Sequence, residues 1–383
     1  MTASLLVVAG EASGDRAAAG VVSALRQAIP LRATGMGGAA LAAAGTSIVC
    51  DLRATTAMGL GAVVSRAGRI LASMAELVHA ARRERVSAAL LVNYSEFNAR
   101  LAPRLHRAGV HVLWYGAPQV WAWRSARGAT LRESVDRMAV MLPFEETLWR
   151  KHGVDARYVG HPALEVHALS RAGARAALGL TELASTIAIL PGSRPHEVTE
   201  LLPAMLEAAA RVRRDRASID ARVLLAPSLD RATRRWARER AEAGGVGVYE
   251  VAGAEGAGVV LPAFDVALTA SGTATLEAAL AGAVPVVAYR VGLLTELVAR
   301  ALVRTEHYAL PNILLGRRAF PELLQRDANP DLLARTVARA LDGRADLLSA
   351  CDEVRAILGD RRTPSRDVAE MLLPWLGEPG HRR

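Results

Sequence analysis

The stretch Ile189-Leu190-Pro191-Gly192-Ser193-Arg194-Pro195-His196-Glu197 marks the point where an apolar run gives way to a helical pattern. Residues 186–190 predict a short buried strand, and residues 197–214 repeat their apolar positions with the period of about 3.6 that predicts a helix. A buried strand, a glycine turn and a helix in this order form one step of a parallel sheet. The same order recurs at Gly10, after the apolar run at residues 4–9. The chain therefore predicts an α/β fold built from parallel sheets.

Further apolar runs alternate with helical patterns, at residues 88–92, 111–115, 137–142, 221–226, 265–268 and 284–288. This alternation is typical of doubly wound sheets that helices cover on both faces. We predict two such Rossmann-like domains, at residues 1–165 and 170–345, followed by C-terminal helices at residues 346–383 that pack across the domains. Two domains of this kind that face each other enclose a central cleft at the carboxyl ends of their strands, where such folds bind ligands.

Composition excludes several classes of protein. The chain has 383 residues, of which 51% are hydrophobic and 22% charged, so it is not a disordered chain. The two cysteines, Cys50 and Cys351, can form neither a disulfide framework nor a zinc cluster and fit a reducing compartment. No run reaches the about 18 apolar residues of a membrane span, and residues 1–10 predict a first strand rather than a signal peptide. We expect a soluble protein, or one bound to a membrane only at its surface.

The net charge of +9 predicts an attraction to polyanions, which include nucleic acid, anionic lipid and phosphorylated substrates. Charge alone does not choose among them. Aromatic residues make up only 4% of the chain, and no RNA-binding signature occurs, which disfavours nucleic acid. The nine histidines show no metal-binding pair of the His-Glu-x-x-His kind.

Two turns in the second half carry groups that suit a diphosphate. At the first, the backbone N–H groups of Gly192 and Ser193 and the guanidinium of Arg194 stand at a helix start, where they can bind a phosphate. The alternative is an ordinary turn with Ser193 as the N-cap.

The second turn, Ser271-Gly272-Thr273, follows the strand at residues 265–268 and also opens a helix. Glu277 lies one turn further, where its carboxylate could accept hydrogen bonds from a ribose diol. The alternative is a capping box with Thr273 as the cap.

The first half offers different chemistry after its strands. Residues 10–15 contain neither the Gly-x-Gly-x-x-Gly fingerprint nor a Walker lysine, which disfavours NAD and ATP, but they present Glu11 and Ser13 to the cleft. Residues 93–98 follow the strand at 88–92 in the same way. Residues 58–71 are apolar with interspersed arginines, a pattern that suits either a lipid interface or a core-facing helix.

Taken together, these motifs resemble the lipid-A-disaccharide synthase family from about Gly10 to Gln325. The matching stretches are Gly10-Glu11-Ala12-Ser13-Gly14-Asp15, Pro118-Gln119-Val120-Trp121-Ala122-Trp123-Arg124, Leu142-Pro143-Phe144-Glu145, Gly160-His161-Pro162, Leu190-Pro191-Gly192-Ser193-Arg194, Ser271-Gly272-Thr273-Ala274-Thr275-Leu276-Glu277 and Leu310-Pro311-Asn312. The resemblance implies the GT-B fold and an inverting glycosyltransferase that uses no metal or other cofactor. The implied reaction joins UDP-2,3-diacylglucosamine to 2,3-diacylglucosamine 1-phosphate, releasing UDP and the β-1,6-linked disaccharide of lipid A, a component of lipopolysaccharide.

The resemblance also implies a division of labour between the domains. In the second domain, UDP would be bound by Gly192, Ser193, Arg194, Ser271, Gly272, Thr273, Glu277, Tyr289 and Asn312. Arg194 would stabilise the charge on the leaving diphosphate. In the first domain, the acyl-sugar acceptor would be contacted by Ser13, Leu60, Val63, Val64, Ile70 and Leu71. The implied location is the cytoplasmic face of the inner membrane, attached peripherally to its anionic surface, and the implied partners include a second copy of the chain in a homodimer but no nucleic acid.

One position departs from the family pattern. The family's Asp-x-Pro-Asp-Phe-Asn reads Asn93-Tyr94-Ser95-Glu96-Phe97-Asn98 here, and the first Asp is the expected general base. An amide cannot take a proton from a hydroxyl, so we predict that Glu96 takes over this role near Asn93, with Glu11 as a second candidate. The departure leaves two alternatives open: a divergent GT-B transferase with another lipid or sugar acceptor, and a catalytically weakened protein that still binds UDP-sugar or lipid.

Overall fold

A computed structural model describes residues 2–51, 63–119, 130–216, 218–251, 256–290, 306–359 and 362–377. The chain divides into two units, Met1–Leu164 with Arg361–Arg383, and Glu165–Asp360. Each unit contains one parallel sheet with helices on both faces, which confirms the predicted α/β class.

Within the described residues, the first sheet has the strands β1 Ala3–Ala9, β2 Leu31–Gly37, β3 Ser47–Asp51, β4 Ala88–Val92, β5 His111–Tyr115, β6 Arg137–Val140 and β7 Asp155–Tyr158. They pair in parallel in the order β3-β2-β1-β4-β5-β6-β7. The order reverses between β1 and β4, so the loops that follow these two strands diverge and leave a crevice at the carboxyl edge of the sheet. The helices of this unit are Ala12–Ala28, Ala39–Ala43, Val63–Arg83, Ser95–Arg107, Pro143–Lys151 and Pro364–Leu376.

Strand β1 lies in the middle of the first core and is buried on both faces. Leu6 and Val8 join the hydrophobic layer on one side of the sheet, and Leu5 and Val7 join the layer on the other side. Alternate residues of a strand point to opposite faces, so a strand covered on both sides is apolar throughout. This explains why β1 is visible in the sequence as a continuous apolar run.

The C-terminal helix Pro364–Leu376 belongs to the first unit although it follows the second in sequence. Its Trp375 ring stacks on His111 with 4.8 Å between ring centroids. The guanidinium carbon of Arg137 lies 4.6 Å from the centroid of the same ring, and Arg137 Nη1 donates to Met371 O at 2.6 Å. Each such contact contributes about 1 kcal/mol, so the helix is held by specific contacts as well as by apolar burial.

Within its described residues, the second sheet has the strands β8 Ser185–Leu190, β9 Ile219–Leu225, β10 Gly247–Glu250, β11 Val266–Ala270, β12 Val284–Tyr289 and β13 Glu322–Leu324. These strands are parallel in the order β10-β9-β8-β11-β12-β13, and the order reverses between β8 and β11. The helices of this unit are Arg171–Leu178, Pro195–Asp215, Arg231–Ala243, Thr273–Ala281, Leu310–Leu315, Pro330–Asp342 and Arg344–Leu358. The second unit therefore repeats the topology of the first, with its own crevice after β8 and β11.

At the amino-terminal ends of the strands of the second sheet, Asp265, the residue before β11, is bonded to the start of β8. Its carboxylate accepts from Thr186 N at 2.9 Å and from Arg171 Nη2 at 2.7 Å. Burial opposes ionisation of Asp265, but the hydrogen bond from Thr186 and the charge of Arg171 outweigh it and hold the pKa below its usual value. These bonds hold the amino-terminal ends of β8 and β11 together, at the end of the sheet opposite the crevice.

Across the described ranges, no helix combines the length and the apolar character that crossing a membrane requires.

Candidate active site

The two predicted diphosphate turns meet at the crevice of the second unit. The turn Gly192-Ser193-Arg194 follows β8, and the turn Ser271-Gly272-Thr273 follows β11. These strands are neighbours, paired from Val266 opposite Ile187 to Thr269 opposite Leu190. The sequence separates the two turns by almost eighty positions, whereas the sheet places them side by side.

The turn after β8 is shaped around a carboxylate. Gly192 has a φ of +123°, and a Cβ there would lie 2.6 Å from Cβ of Glu197. The Glu197 carboxylate accepts hydrogen bonds from the backbone N of Ser193 at 3.0 Å and of Arg194 at 3.3 Å, and its other oxygen lies 3.2 Å from Arg194 Nη1. Two N–H groups and a guanidinium thus converge on one anionic group at the start of the helix Pro195–Asp215, where the helix dipole also favours negative charge. The alternative with Ser193 as the N-cap is wrong, because Arg194 occupies that position and Glu197 supplies the accepting oxygen.

The turn after β11 is open. Gly272 is the N-cap of the helix Thr273–Ala281, and a Cβ at Gly272 would meet nothing within 4 Å. The alternative of a capping box with Thr273 as the cap is therefore wrong. Ser271 Oγ donates to Tyr308 O at 3.2 Å, and Glu277 is buried one turn into the helix. An anion could approach the backbone at Gly272 without displacing a side chain.

Tyr289, at the end of β12, lies beside these two turns. Its ring stacks against Tyr308 with 6.4 Å between ring centroids. Burial raises the pKa of Tyr289, the negative charge of Glu197 raises it further, and the positive charge of Arg194 opposes both. The phenol therefore stays protonated near neutral pH and can donate a hydrogen bond.

Asn312 has a different position from the one the sequence suggests. Its side chain is fully buried, and Nδ2 donates to Phe320 O at 2.8 Å and to Glu322 Oε1 at 2.9 Å. Its Oδ1 accepts from the backbone N of Ala319 at 3.0 Å and of Phe320 at 2.9 Å. All four hydrogen-bonding positions of the amide are used within the protein, so the contribution of Asn312 to UDP binding stays a prediction, and the structure favours a positioning role. The sequence gives no indication of its partner Glu322, because a carboxylate in the short outer strand β13 belongs to no recognisable motif.

The crevice of the first unit contains Asn93. Asn93 and Tyr94 both have positive φ, +50° and +43°, which costs about 1 kcal/mol or more for each residue. A Cβ at Gly116 would overlap Asn93 Oδ1, and a Cβ at Gly14 would lie 3.6 Å from Asn93 Nδ2. Asn93 therefore lies between the first turn of the helix Ala12–Ala28 and the loop after β5, in a strained turn of the kind found at functional sites. Glu11 and Ser13 are half-buried in the neighbouring loop and first helical turn after β1.

Glu96 lies three residues further, in the first turn of the helix Ser95–Arg107. It lines a cavity of about 250 Å³ together with Ser95, Ala99, Arg100, Pro103, Pro118, Thr130, Leu131 and Ser134. This lining is mixed in polarity and contains a cation, Arg100. The surroundings that the structure records for Glu96 thus differ from those recorded for Asn93.

The predicted lipid-contacting residues fall into three groups. Leu60 lies outside the described residues, as do the side chains of Val63 and Val64. Ile70 is half-buried and packs against the core, so the core-facing alternative holds for this residue. Leu71 is 56% exposed.

Leu71 lies on the same helix as a basic surface groove. With a helical repeat of about 3.6, Leu71, Ala75, Val78 and Arg82 share one face of the helix Val63–Arg83. A groove of about 340 Å³ beside this face is lined by Ala75, Val78, His79, Arg82, Arg104 and Arg107. No carboxylate lines it, so the described part of this face is apolar at one end and cationic at the other.

Among the described residues, no group of three or more His, Cys, Asp or Glu side chains is arranged to hold a metal ion.

Two doubly wound parallel units, with backbone N–H groups and an arginine at the crevice of the second, define a protein of the GT-B fold class. Solved structures share the fold: S. aureus MnaA with UDP has a TM-score of 0.65 and 13% identity and covers 100% of both chains. Acinetobacter baumannii MurG has a TM-score of 0.58 and 14% identity and covers 98% of this chain and 100% of its own.

The family follows from sequence comparison. The lipid-A-disaccharide synthetase family model matches residues 5–371. The lipid-A-disaccharide synthase of Myxococcus xanthus is 44% identical over 379 residues, covering 97% of this chain and 98% of that protein. That of Anaeromyxobacter dehalogenans is 43% identical over 380 residues, covering 97% of each. The chain belongs to the lipid-A-disaccharide synthase family.

Proposed function

We propose that the protein transfers 2,3-diacylglucosamine from UDP to 2,3-diacylglucosamine 1-phosphate, with inversion at the anomeric carbon. The products are the β-1,6-linked disaccharide 1-phosphate of lipid A and UDP. The observation that carries this proposal is the meeting of the Gly192 and Ser271 turns at one crevice, since together they suit a nucleoside diphosphate. Membership of the family supports the choice of sugars.

In this proposal the diphosphate lies between the two turns of the second unit. Arg194 and the N–H of Ser193 bind it from one side, and the helix start at Gly272 and Thr273 binds it from the other. The Glu197 carboxylate already occupies the first set of donors, so it must release them as UDP binds. Arg194 then stabilises the charge that develops on the leaving diphosphate.

The remaining donor contacts complete the site. Glu277 accepts hydrogen bonds from the ribose diol, and Tyr289 donates from its protonated phenol. Asn312 acts by positioning, since its own hydrogen bonds are all made within the protein.

The transfer step needs a base at the acceptor. The acceptor's 6-hydroxyl oxygen forms a bond to the anomeric carbon while the bond to the diphosphate breaks, and the electron pair of that bond leaves with UDP. The proton of the hydroxyl goes to a carboxylate, and we assign this role to Glu96, with Glu11 as the second candidate. The cavity beside Glu96 supports the first choice, and Asn93 contributes hydrogen bonds only.

Attachment to an anionic membrane at the cytoplasmic face of the inner membrane completes the proposal. The exposed Leu71 and the groove with Arg82, Arg104 and Arg107 are the features that support it. An apolar side chain beside several cations suits insertion at the boundary of an anionic lipid surface.

A flotation assay checks this attachment. The protein should float with phosphatidylglycerol vesicles and not with phosphatidylcholine vesicles, and Leu71→Asp should reduce flotation several-fold. Leu183→Asp is the matched control, because Leu183 is 95% exposed but lies in the second unit. Equal flotation of the two variants would contradict the assignment of this face.

The activity itself is tested with the two proposed substrates. We expect UDP release at the same rate as formation of a product with the mass of the disaccharide 1-phosphate. Product formation only with a different acceptor would replace the proposal with a divergent transferase. UDP binding with no turnover would replace it with a binding protein.

A further inference from the structure

Glu322, the first residue of β13, is a buried carboxylate. The side chain of Glu322 is 0% exposed. It accepts hydrogen bonds from the backbone N of Tyr308 at 3.1 Å and of Ala309 at 2.8 Å, and from Asn312 Nδ2 at 2.9 Å. A buried carboxylate costs several kcal/mol unless such donors surround it, so three converging donors indicate a specific arrangement.

The contacts of Glu322 lead through Tyr308 to the turn at Ser271 and to Tyr289. Tyr308, whose N–H Glu322 accepts, receives the hydroxyl of Ser271 on its carbonyl at 3.2 Å. The ring of Tyr308 stacks against Tyr289. The next residue after Ser271 is Gly272, which faces open space at the helix start. Glu322 is thus separated from the turn by a single residue, Tyr308.

The surroundings of this side chain favour a carboxylate over an amide. Glu322 Oε1 accepts from Tyr308 N, Ala309 N and Asn312 Nδ2. Its Oε2 also accepts from Tyr308 N, at 3.2 Å, and lies 4.0 Å from Arg318 Nη2. An amide in place of the carboxylate would turn an NH₂ group toward Tyr308 N and set two donors against each other. Glutamine at this position should therefore displace Tyr308, although its size is nearly unchanged.

We propose that Glu322 is a positioning residue for the nucleoside diphosphate. It fixes the backbone of Tyr308, and through Tyr308 it fixes the Ser271 hydroxyl and the ring of Tyr289. This inference rests on the proposed function, because it takes the two turns to be the UDP site. Loss of Glu322 should weaken UDP binding and raise the KM for the donor, whereas kcat at saturating donor should change little.

The experiment compares Glu322→Gln with Glu353→Gln by calorimetric titration with UDP. Glu353 is a matched control, because it is an exposed carboxylate that pairs with Arg317, which lies in the turn just before β13. We expect Glu322→Gln to raise the Kd for UDP about 10-fold and the control to leave it within about 2-fold of wild type. Thermal melts of both variants show that binding is compared between folded proteins.

A double-mutant cycle tests the route through Tyr308. In a Ser271→Ala background the hydroxyl link to Tyr308 is absent, so Glu322→Gln should raise the Kd by only about 3-fold. If Glu322→Gln does not fold, Glu322→Asp keeps the charge on a shorter side chain and should give an intermediate loss of UDP affinity.

The outcomes separate the two proposals. A lower Tm with an unchanged Kd for UDP in Glu322→Gln, or in Glu322→Asp, would mean a purely structural role and overturn the inference while leaving the proposed function intact. Equal losses in the wild-type and Ser271→Ala backgrounds would also overturn it. Absence of UDP binding by the wild-type protein would overturn the proposed function, and this inference with it.

Discussion

The two units share a topology but build their crevices by different means. In the second unit, side chains hold the crevice loops through hydrogen bonds: Glu197 holds the turn after β8, and Ser271 and Glu322 hold the segment at Tyr308. In the first unit, the turn after β4 is also hydrogen-bonded, with Asn98 Nδ2 donating to Asn93 O at 2.9 Å, but it carries backbone strain at Asn93 and Tyr94, which are not glycines.

This difference suits two kinds of ligand. A diphosphate needs several N–H donors and a cation at fixed positions, which a hydrogen-bonded network provides. A sugar hydroxyl needs one side chain placed against it, which a strained turn can provide. Topology therefore determines where each site lies, and the side chains determine what it does.

The largest effect is expected in the first unit. Glu96→Gln removes the proposed base and should lower kcat by a factor on the order of 10³ with little change in the Kd for UDP. Parallel turnover and UDP-titration measurements check both parts. Transfer at the wild-type rate would remove Glu96 from the mechanism and bring Glu11→Gln forward as the next variant.

Asn93→Asp sharpens this test. This change places a carboxylate between the helix Ala12–Ala28 and the loop after β5, where the sequence resemblance predicts the base. If Asn93 and Glu96 serve the same hydroxyl, the double variant Asn93→Asp, Glu96→Gln should recover at least about 10-fold of the lost rate. No recovery would mean that the two positions face different ligands.

A substitution at the diphosphate turn of the second unit should change both UDP binding and the rate of transfer. Arg194→Ala should lower kcat/KM by a factor on the order of 10² and should also raise the Kd for UDP, because the guanidinium contacts both the bound and the leaving diphosphate. Arg214→Ala is the control, since Arg214 is exposed on the same helix and pairs only locally with Asp215. An unchanged kcat/KM in Arg194→Ala would contradict the anion site at this turn.

The sequence reveals the central strands of both sheets and hides the outer ones. Strands β1, β4, β8 and β11 are apolar because both faces are covered, whereas β3, β7 and β13 at or near the edges mix polar and apolar residues. The two diphosphate turns are visible because glycine and hydroxyl residues stand next to apolar runs. Their meeting at one crevice depends on strand order, which no local pattern contains.

The sequence does not show that Asn312 and Glu322 are hydrogen-bonded to each other inside the protein. Both residues are buried and bonded to each other, and a motif does not show whether a polar side chain faces a ligand or its own protein. The strain at Asn93 and Tyr94 is equally hidden, because positive φ at a residue other than glycine is imposed by its surroundings.

Acid should weaken the first unit before the second. His161 is buried near Arg16, and these two causes lower its pKa from 6.5 to about 4, while its Nδ1 already accepts from Ala163 N at 3.1 Å. The unfolded chain takes up this proton at higher pH than the folded chain, so stability is fully present above about pH 6.5 and falls by about 3 kcal/mol toward pH 4. In the second unit, the pKa of Asp265 is lowered from its usual 3.8, so this carboxylate loses its contribution to stability only when the pH falls below that value.

Hydrogen exchange between pH 7 and pH 4.5 checks this order. Protection should fall first in the strands of the first unit, and His161→Gln should flatten that dependence. Earlier loss of protection in the second unit would show that His161 does not govern acid stability.

The smallest expected effect is the difference in stability between two glycine-to-alanine variants, which separates the cost of packing from the cost of backbone strain in the first crevice. Gly116 and Gly109 have nearly the same φ, +78° and +80°, but a Cβ at Gly116 would overlap Asn93 Oδ1, whereas one at Gly109 would meet nothing within 4 Å. Alanine at either position should cost about 1 kcal/mol of strain, and Gly116→Ala should cost about 1–3 kcal/mol more through the clash. Urea denaturation of the two variants measures the difference, and because only Gly116→Ala displaces Asn93, only that variant should also slow transfer. Equal losses of stability would mean that Asn93 moves aside freely, and the close approach of Gly116 would then play no part in shaping the first crevice.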